Sequence, residues 1–180
     1  MKVTALLVLT LAASTFMIAQ QAPPEGIWMG YDGEWKHVTQ QLVALAEATP
    51  AEKFSFRPTP DVRSTSEVYM HIAIANFFLL SQADPAVKFP DAFKNMKPEK
   101  AEKSVTSKED VIKWLKQSMD VVKTAHESAK PADLARKVHI IDRDTNADGI
   151  YLRIIVHANE HMGQLIAYAR MSGVKPPWSN

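Results

Sequence analysis

The sequence predicts an all-α protein folded as a four-helix bundle. Three observations carry this: four segments with apolar residues at three- and four-residue steps, proline-bearing connections between them, and no convincing alternation of the kind a strand needs. The chain has 180 residues, 46% hydrophobic and 23% charged, a balance suited to one globular domain. Lysine and arginine number 21 against 20 aspartates and glutamates, and they are dispersed, so no basic surface for nucleic acid is indicated.

The N-terminus stands apart from the bundle. Lys2 supplies a positive charge ahead of the apolar run Val3 to Ile18, and small residues follow at Ala19 and Ala22 before Pro23-Pro24. That order describes a secretory signal peptide over residues 1–22, cleaved near 19–22, leaving 23–180 as the mature domain. The expected location is therefore secreted or periplasmic, with no stable membrane insertion after cleavage. An uncleaved membrane anchor is the competing reading, because the cleavage site is not a clean A-x-A. The absence of cysteine excludes both a cysteine-linked lipid anchor and disulfides. Stability must come from the core and from any bound metal.

The first helix is expected from about Trp28 or Asp32 to Ala48, with Trp35, Val38, Leu42 and Leu45 on one stripe. Thr49-Pro50 ends it, since a residue before proline is driven from helical geometry. Residues 51–62, with Pro58 and Pro60, read as an extended connection. Ser64 and Glu67 then form a capping box that opens a second helix, expected to end near Gln82, with Val68, His71, Ile72, Ala75, Phe78 and Leu79 on one apolar side. Asp84-Pro85 breaks it, and the lysine- and proline-rich residues 85–106 are expected to cross the bundle surface.

Ser107 with Glu109 and Asp110 marks the start of a third helix running to about Ala129, stopped by Pro131. The connection from Arg136 to Asp148 contains the apolar Val138-His139-Ile140-Ile141 and is expected to tuck against the bundle. The fourth helix is expected from about Asp148 to Met171 or Ser172. Gly173 is suited to the left-handed position beyond its end, and Pro176-Pro177 prevents continuation. The lengths of the first two connections leave a crossover topology open.

The chemistry lies in the histidines. His157 and His161 are four residues apart, which places both imidazoles on one helix face, one turn apart. Gln164 and Tyr168 continue that face. His71, mid-way along the apolar side of the second helix, completes a three-nitrogen metal site. Such a set leaves coordination positions open for water or a small-molecule substrate, as catalytic sites do. Zinc suits it best, with nickel or iron(II) next. Glu160 is the candidate catalytic acid or base, and Gln164 the candidate hydrogen-bond partner of a ligand ring or bound water. Glu67 is assigned to capping. His37 and His126 are expected at the surface, and His139 in a linker.

The stretch His157-Ala158-Asn159-Glu160-His161 formally matches H-x-x-E-H, a zinc-protease pattern. That class needs an acidic ligand well downstream, and no Asp or Glu follows His161. A different family fits. Arg63-Ser64 with Glu67 and His71, followed by His157, His161, Gly163-Gln164-Leu165, Tyr168 and the Gly173 to Pro177 tail, resembles the DinB/YfiT-like superfamily from about Trp35 to Trp178. The resemblance implies a four-helix bundle, commonly a homodimer, with a divalent metal on His71, His157 and His161. It implies a metal-dependent hydrolase, or an S-transferase or isomerase using a thiol cosubstrate. Those thiols are cytosolic, which sits poorly with an exported chain. The contrasting expectation is a non-catalytic metal-binding bundle, for which Phe77, Phe78 or Tyr168 would seal the site.

Overall fold

The computed structural model describes residues 29–179; the segment 1–22 expected to be a signal peptide and Trp28 lie outside the described residues. Four long helices form the bundle: α1 (Tyr31–Ala48), α2 (Thr65–Ala83), α4 (Lys108–Ser128) and α6 (Ala147–Met171). Two short helices, α3 (Pro98–Lys103) and α5 (Pro131–Leu134), lie in the connections. Helix α2 packs against α4, α6 and α3, while α1 packs against α4 and α6. The core is built from residues such as Trp35, Leu42, Leu45, Tyr69, Leu80, Leu115, Ile154 and Leu165, all essentially inaccessible. Trp35 also donates its indole N–H to the Met119 carbonyl at 3.2 Å, tying α1 to α4.

Three expectations need correction. Residues Ala51–Ser55 form a 3-10 turn within the connection expected to be extended, and it buries Phe54. The connection before α6 is an antiparallel hairpin, β1 (Lys137–Ile140) with β2 (Arg143–Asn146), in which only Val138 of β1 is buried. Its two-residue turn places Ile141 and Asp142 at φ 47 and 58, the left-handed geometry that matches the twist of paired strands. Nothing in the sequence marked it, because Ile141-Asp142 lacks the Asn-Gly chemistry such turns favour. The third correction concerns α2. It is buried on nearly every side, and before its last turn, where Ser81 and Gln82 are half-buried, His71, Ala75 and Phe78 are its more accessible positions, with Phe78 41% exposed. The one-sided stripe assigned to α2 therefore contains the strip that faces outward.

The two helices that carry the histidines have firmly defined ends. Ser64 accepts from the Glu67 backbone N–H at 3.3 Å, and Glu67 accepts from the Ser64 backbone N–H at 3.1 Å. Arg57 holds the other Glu67 oxygen at 2.7 Å. At the far end of α2, Arg136 donates to the Gln82 carbonyl at 2.9 Å, satisfying an acceptor the helix leaves open. Helix α6 begins at Asn146, whose side chain accepts from Gly149 N–H at 2.8 Å. A Cβ on Gly149 would lie 2.3 Å from Thr145 Oγ1, so any larger residue in this first turn would force the Thr145 side chain to move. It ends with Gly173 at φ 81, with Val174 N–H bonded to the Ala169 carbonyl and Gly173 N–H to the Arg170 carbonyl.

Replacing Ser64→Ala removes one half of the capping box at a buried position, and we expect it to lower unfolding stability by about 1 kcal/mol. Urea titration checks this. A stability equal to wild type would show that the Glu67–Arg57 pair alone fixes the start of α2.

Candidate metal centre

His71 on α2 faces His157 and His161 on α6, and all three are half-buried. One nitrogen from each lies within 4.8 Å of the others. The Nε2 atoms of His71 and His157 are 3.1 Å apart. Two imidazole nitrogens sharing a tetrahedral zinc at about 2.0–2.1 Å would be separated by about 3.3 Å, so this spacing is close to that of a loaded site. The ring centroids stand 4.6–4.9 Å apart with large interplanar angles, so the rings converge edge-on instead of stacking.

Hydrogen bonds on the outer nitrogens set the tautomers. His71 Nδ1 lies 2.7 Å from Glu102 Oε1, and an ionised carboxylate only accepts, so Nδ1 carries the proton and Nε2 presents its lone pair. His161 Nδ1 lies 2.8 Å from Gln164 Oε1, and Gln164 Nε2 donates to the Tyr168 hydroxyl at 2.8 Å. His161 is thereby set the same way. His157 differs: its Nδ1 is buried with no partner, so no second group fixes its proton. To ligate through Nε2 it must hold its proton on that unpartnered atom.

Burial and the positive potential of the neighbouring rings push His157 down to about 3. His161 is also lowered, chiefly by burial and against the opposing Gln164 bond. Both rings are consequently neutral near pH 7, the form that binds metal. Glu102 shows the opposite balance. Burial alone would raise it, but the bonds from His71 and Arg63 outweigh that and hold it below the usual carboxylate range.

Gln164 reaches the site as a partner of His161. Glu160 lies on the solvent side of α6, where its carboxylate accepts from Arg153 Nη1 at 3.1 Å and is lowered mainly by that bond. Phe77 turns into the core beside Trp114, and Phe78 is exposed. Tyr168 is buried and engaged by Gln164. His126, expected at the surface, is half-buried, bonded to Asp32 at 2.7 Å and packed on Tyr31 with centroids 4.0 Å apart. His139 is exposed on the hairpin, beside Asp144.

The sequence reading missed Glu102, which sits in α3 within the crossover, 3% exposed. Its surroundings, Pro98-Glu99-Lys100-Ala101-Glu102-Lys103, look like solvated surface. The available signal was local: proline at a first helical position, with Ala101 as a single small inward residue.

The DinB superfamily profile matches residues 34–165, and the chain belongs to that superfamily. A DinB-like protein from Bacillus cereus has 20% identity and a TM-score of 0.70, covering 84% of this chain and 96% of its own. The DinB-like protein YjoA from Bacillus subtilis has 16% identity and a TM-score of 0.63, covering 81% and 92%. YfiT from Bacillus subtilis, described as a probable metal-dependent hydrolase with an unusual four-helix bundle topology, has 11% identity and a TM-score of 0.58, covering 81% and 87%. No curated protein matched the sequence. At these identities the structural neighbours establish the fold. The bundle and the three-histidine cluster agree with the reading of the sequence.

The lowered His157 has a consequence for stability. Its folded value, about 3, lies below the ordinary histidine value of about 6.5, so the unfolded chain binds the extra proton between these pH values. The contribution of a neutral His157 is thus fully present above about pH 6.5 and declines as pH falls toward 3. We expect the metal-free wild type to lose stability over this window more steeply than His157→Gln. Parallel denaturant titrations at several pH values measure the difference, and identical slopes would contradict the burial of a neutral ring.

Proposed function

We propose that this chain is an exported metal-dependent enzyme of the DinB superfamily, a hydrolase or transferase acting on a small molecule. The observation that carries the proposal is the convergence of three half-buried imidazoles, two with tautomers preset to aim Nε2 at the cluster. His71, His157 and His161 would hold one divalent ion, with zinc first among the candidates and nickel or iron(II) behind it. Bound there, the ion would supply Lewis-acid chemistry, polarising a substrate oxygen or lowering the pKa of water.

The protein's own groups do the positioning. Glu102 holds the His71 Nδ1 proton, Gln164 holds that of His161, and Tyr168 fixes Gln164. Glu160 becomes a proton acceptor only when its pair with Arg153 opens. Of the residues that could have sealed the site, Phe77 is in the core and Phe78 is partly exposed, while Tyr168 is buried and bonded to Gln164. The partial accessibility of all three histidines supports a reactive site over a closed structural one.

Zinc loading, exhaustive dialysis and elemental analysis test the metal. Wild type should retain about one ion per chain, whereas His71→Ala and His157→Ala should retain essentially none. Equal retention by all three proteins would defeat the proposal. Screening with generic ester and thiol-transfer substrates then addresses the reaction.

Export rests on the charge and apolar run at the N-terminus. N-terminal sequencing of the protein produced in a secretion-competent host should find a mature end near residues 20–23. An intact Met1 in the soluble cytosolic fraction would contradict it.

A further inference from the structure

We infer that the crossover helix α3 is part of the metal centre: Glu102 is the positioning residue for His71, and docking of α3 is linked to metal loading. The inference rests on the reading that the three histidines bind metal. Its starting point is a buried charge in an unexpected place. Residues 97–100 and 103 of this segment are exposed, yet Ala101 and Glu102 turn inward and Glu102 is 3% exposed. A carboxylate removed from water is strongly unfavourable unless its oxygens are well bonded.

They are. Arg63 donates from Nε to Oε2 at 2.6 Å and from Nη2 to Oε1 at 3.2 Å, a fork that matches a carboxylate. The His71 Nδ1–H bond at 2.7 Å is the third. Had Glu102 served only to pin α3 to the bundle, the Arg63 fork would suffice. The third bond instead reaches the outer nitrogen of a candidate ligand. It keeps the proton on Nδ1 and the lone pair of Nε2 toward His157.

His71 is also among the more accessible positions of α2, so its ring has solvent on one side and needs a partner to hold its angle. Helix α3 supplies that partner from 31 residues away in sequence. Where docking of one element raises the affinity of a site, occupation of the site strengthens docking by the same factor. A segment that reads as a surface linker therefore becomes a metal-responsive clasp.

Zinc affinity of the full mature chain, measured by competition with a chromophoric chelator, tests this beside hydrogen exchange of residues 98–103. Glu102→Ala should bind zinc about 10–100-fold more weakly than wild type, the usual effect of losing a partner behind a ligand. Glu102→Gln keeps an acceptor for His71 Nδ1–H, so it should recover part of the loss. In wild type, zinc should slow exchange in 98–103 more than in the hairpin 137–146. If Glu102→Ala does not fold, Glu102→Gln and the wild-type exchange comparison still decide. Affinities within twofold of wild type for the folded variants, or equal zinc effects on both segments, would overturn the inference. A wild type that binds no zinc would overturn the metal reading itself.

Discussion

To hold one metal ion, three imidazoles meeting between two helices must keep their lone pairs aimed at one point, and that demand reaches far beyond the histidines. A ring on a helix can swing about two side-chain torsions, so its backbone must be fixed and its outer nitrogen held. The caps of α2 and α6 answer the first need. Ser64, Glu67 and Arg136 define α2 at its two ends, and Asn146 and Gly173 do the same for α6. Glu102 and Gln164 answer the second. The core between α1, α2, α4 and α6 then transmits those constraints, because close packing leaves the helices little room to shift.

The polar groups near the site are unequal, and the inequality is informative. His71 is backed by a charged acceptor, His161 by a neutral one, and His157 by none. An unpartnered buried ring nitrogen carries a desolvation cost of roughly 1–3 kcal/mol. His157 is therefore the least supported of the three rings. The same region tolerates a buried carboxylate because Arg63 and His71 together supply its missing solvation, and the lowered Glu102 reflects that.

Much of this was legible in the chain. The S-x-x-E signal at Ser64 and Glu67, the Ser107 cap and the left-handed Gly173 all act within a few residues, and each is found where local chemistry places it. The i, i+4 pair of His157 and His161 is likewise a local relation, and His71 joins it in space. What escaped was what depends on distant partners. The hairpin at 137–146 has only Asp142 as a favoured turn residue, beside an unfavoured Ile141, and leans on its pairing. The burial of α2 on nearly every side comes from three neighbouring helices, which no single-helix periodicity can register. Glu102 lies among lysines in sequence, and only the fold brings it to His71 and Arg63.

The central claim is that these three imidazoles hold one metal ion. X-ray absorption at the zinc edge of the loaded protein tests it most directly. The account predicts three imidazole nitrogens at about 2.0–2.1 Å, with the outer-ring scattering of coordinated histidine and one or more light-atom ligands completing the shell. A shell of oxygens alone, or one with fewer than three imidazoles, would contradict it.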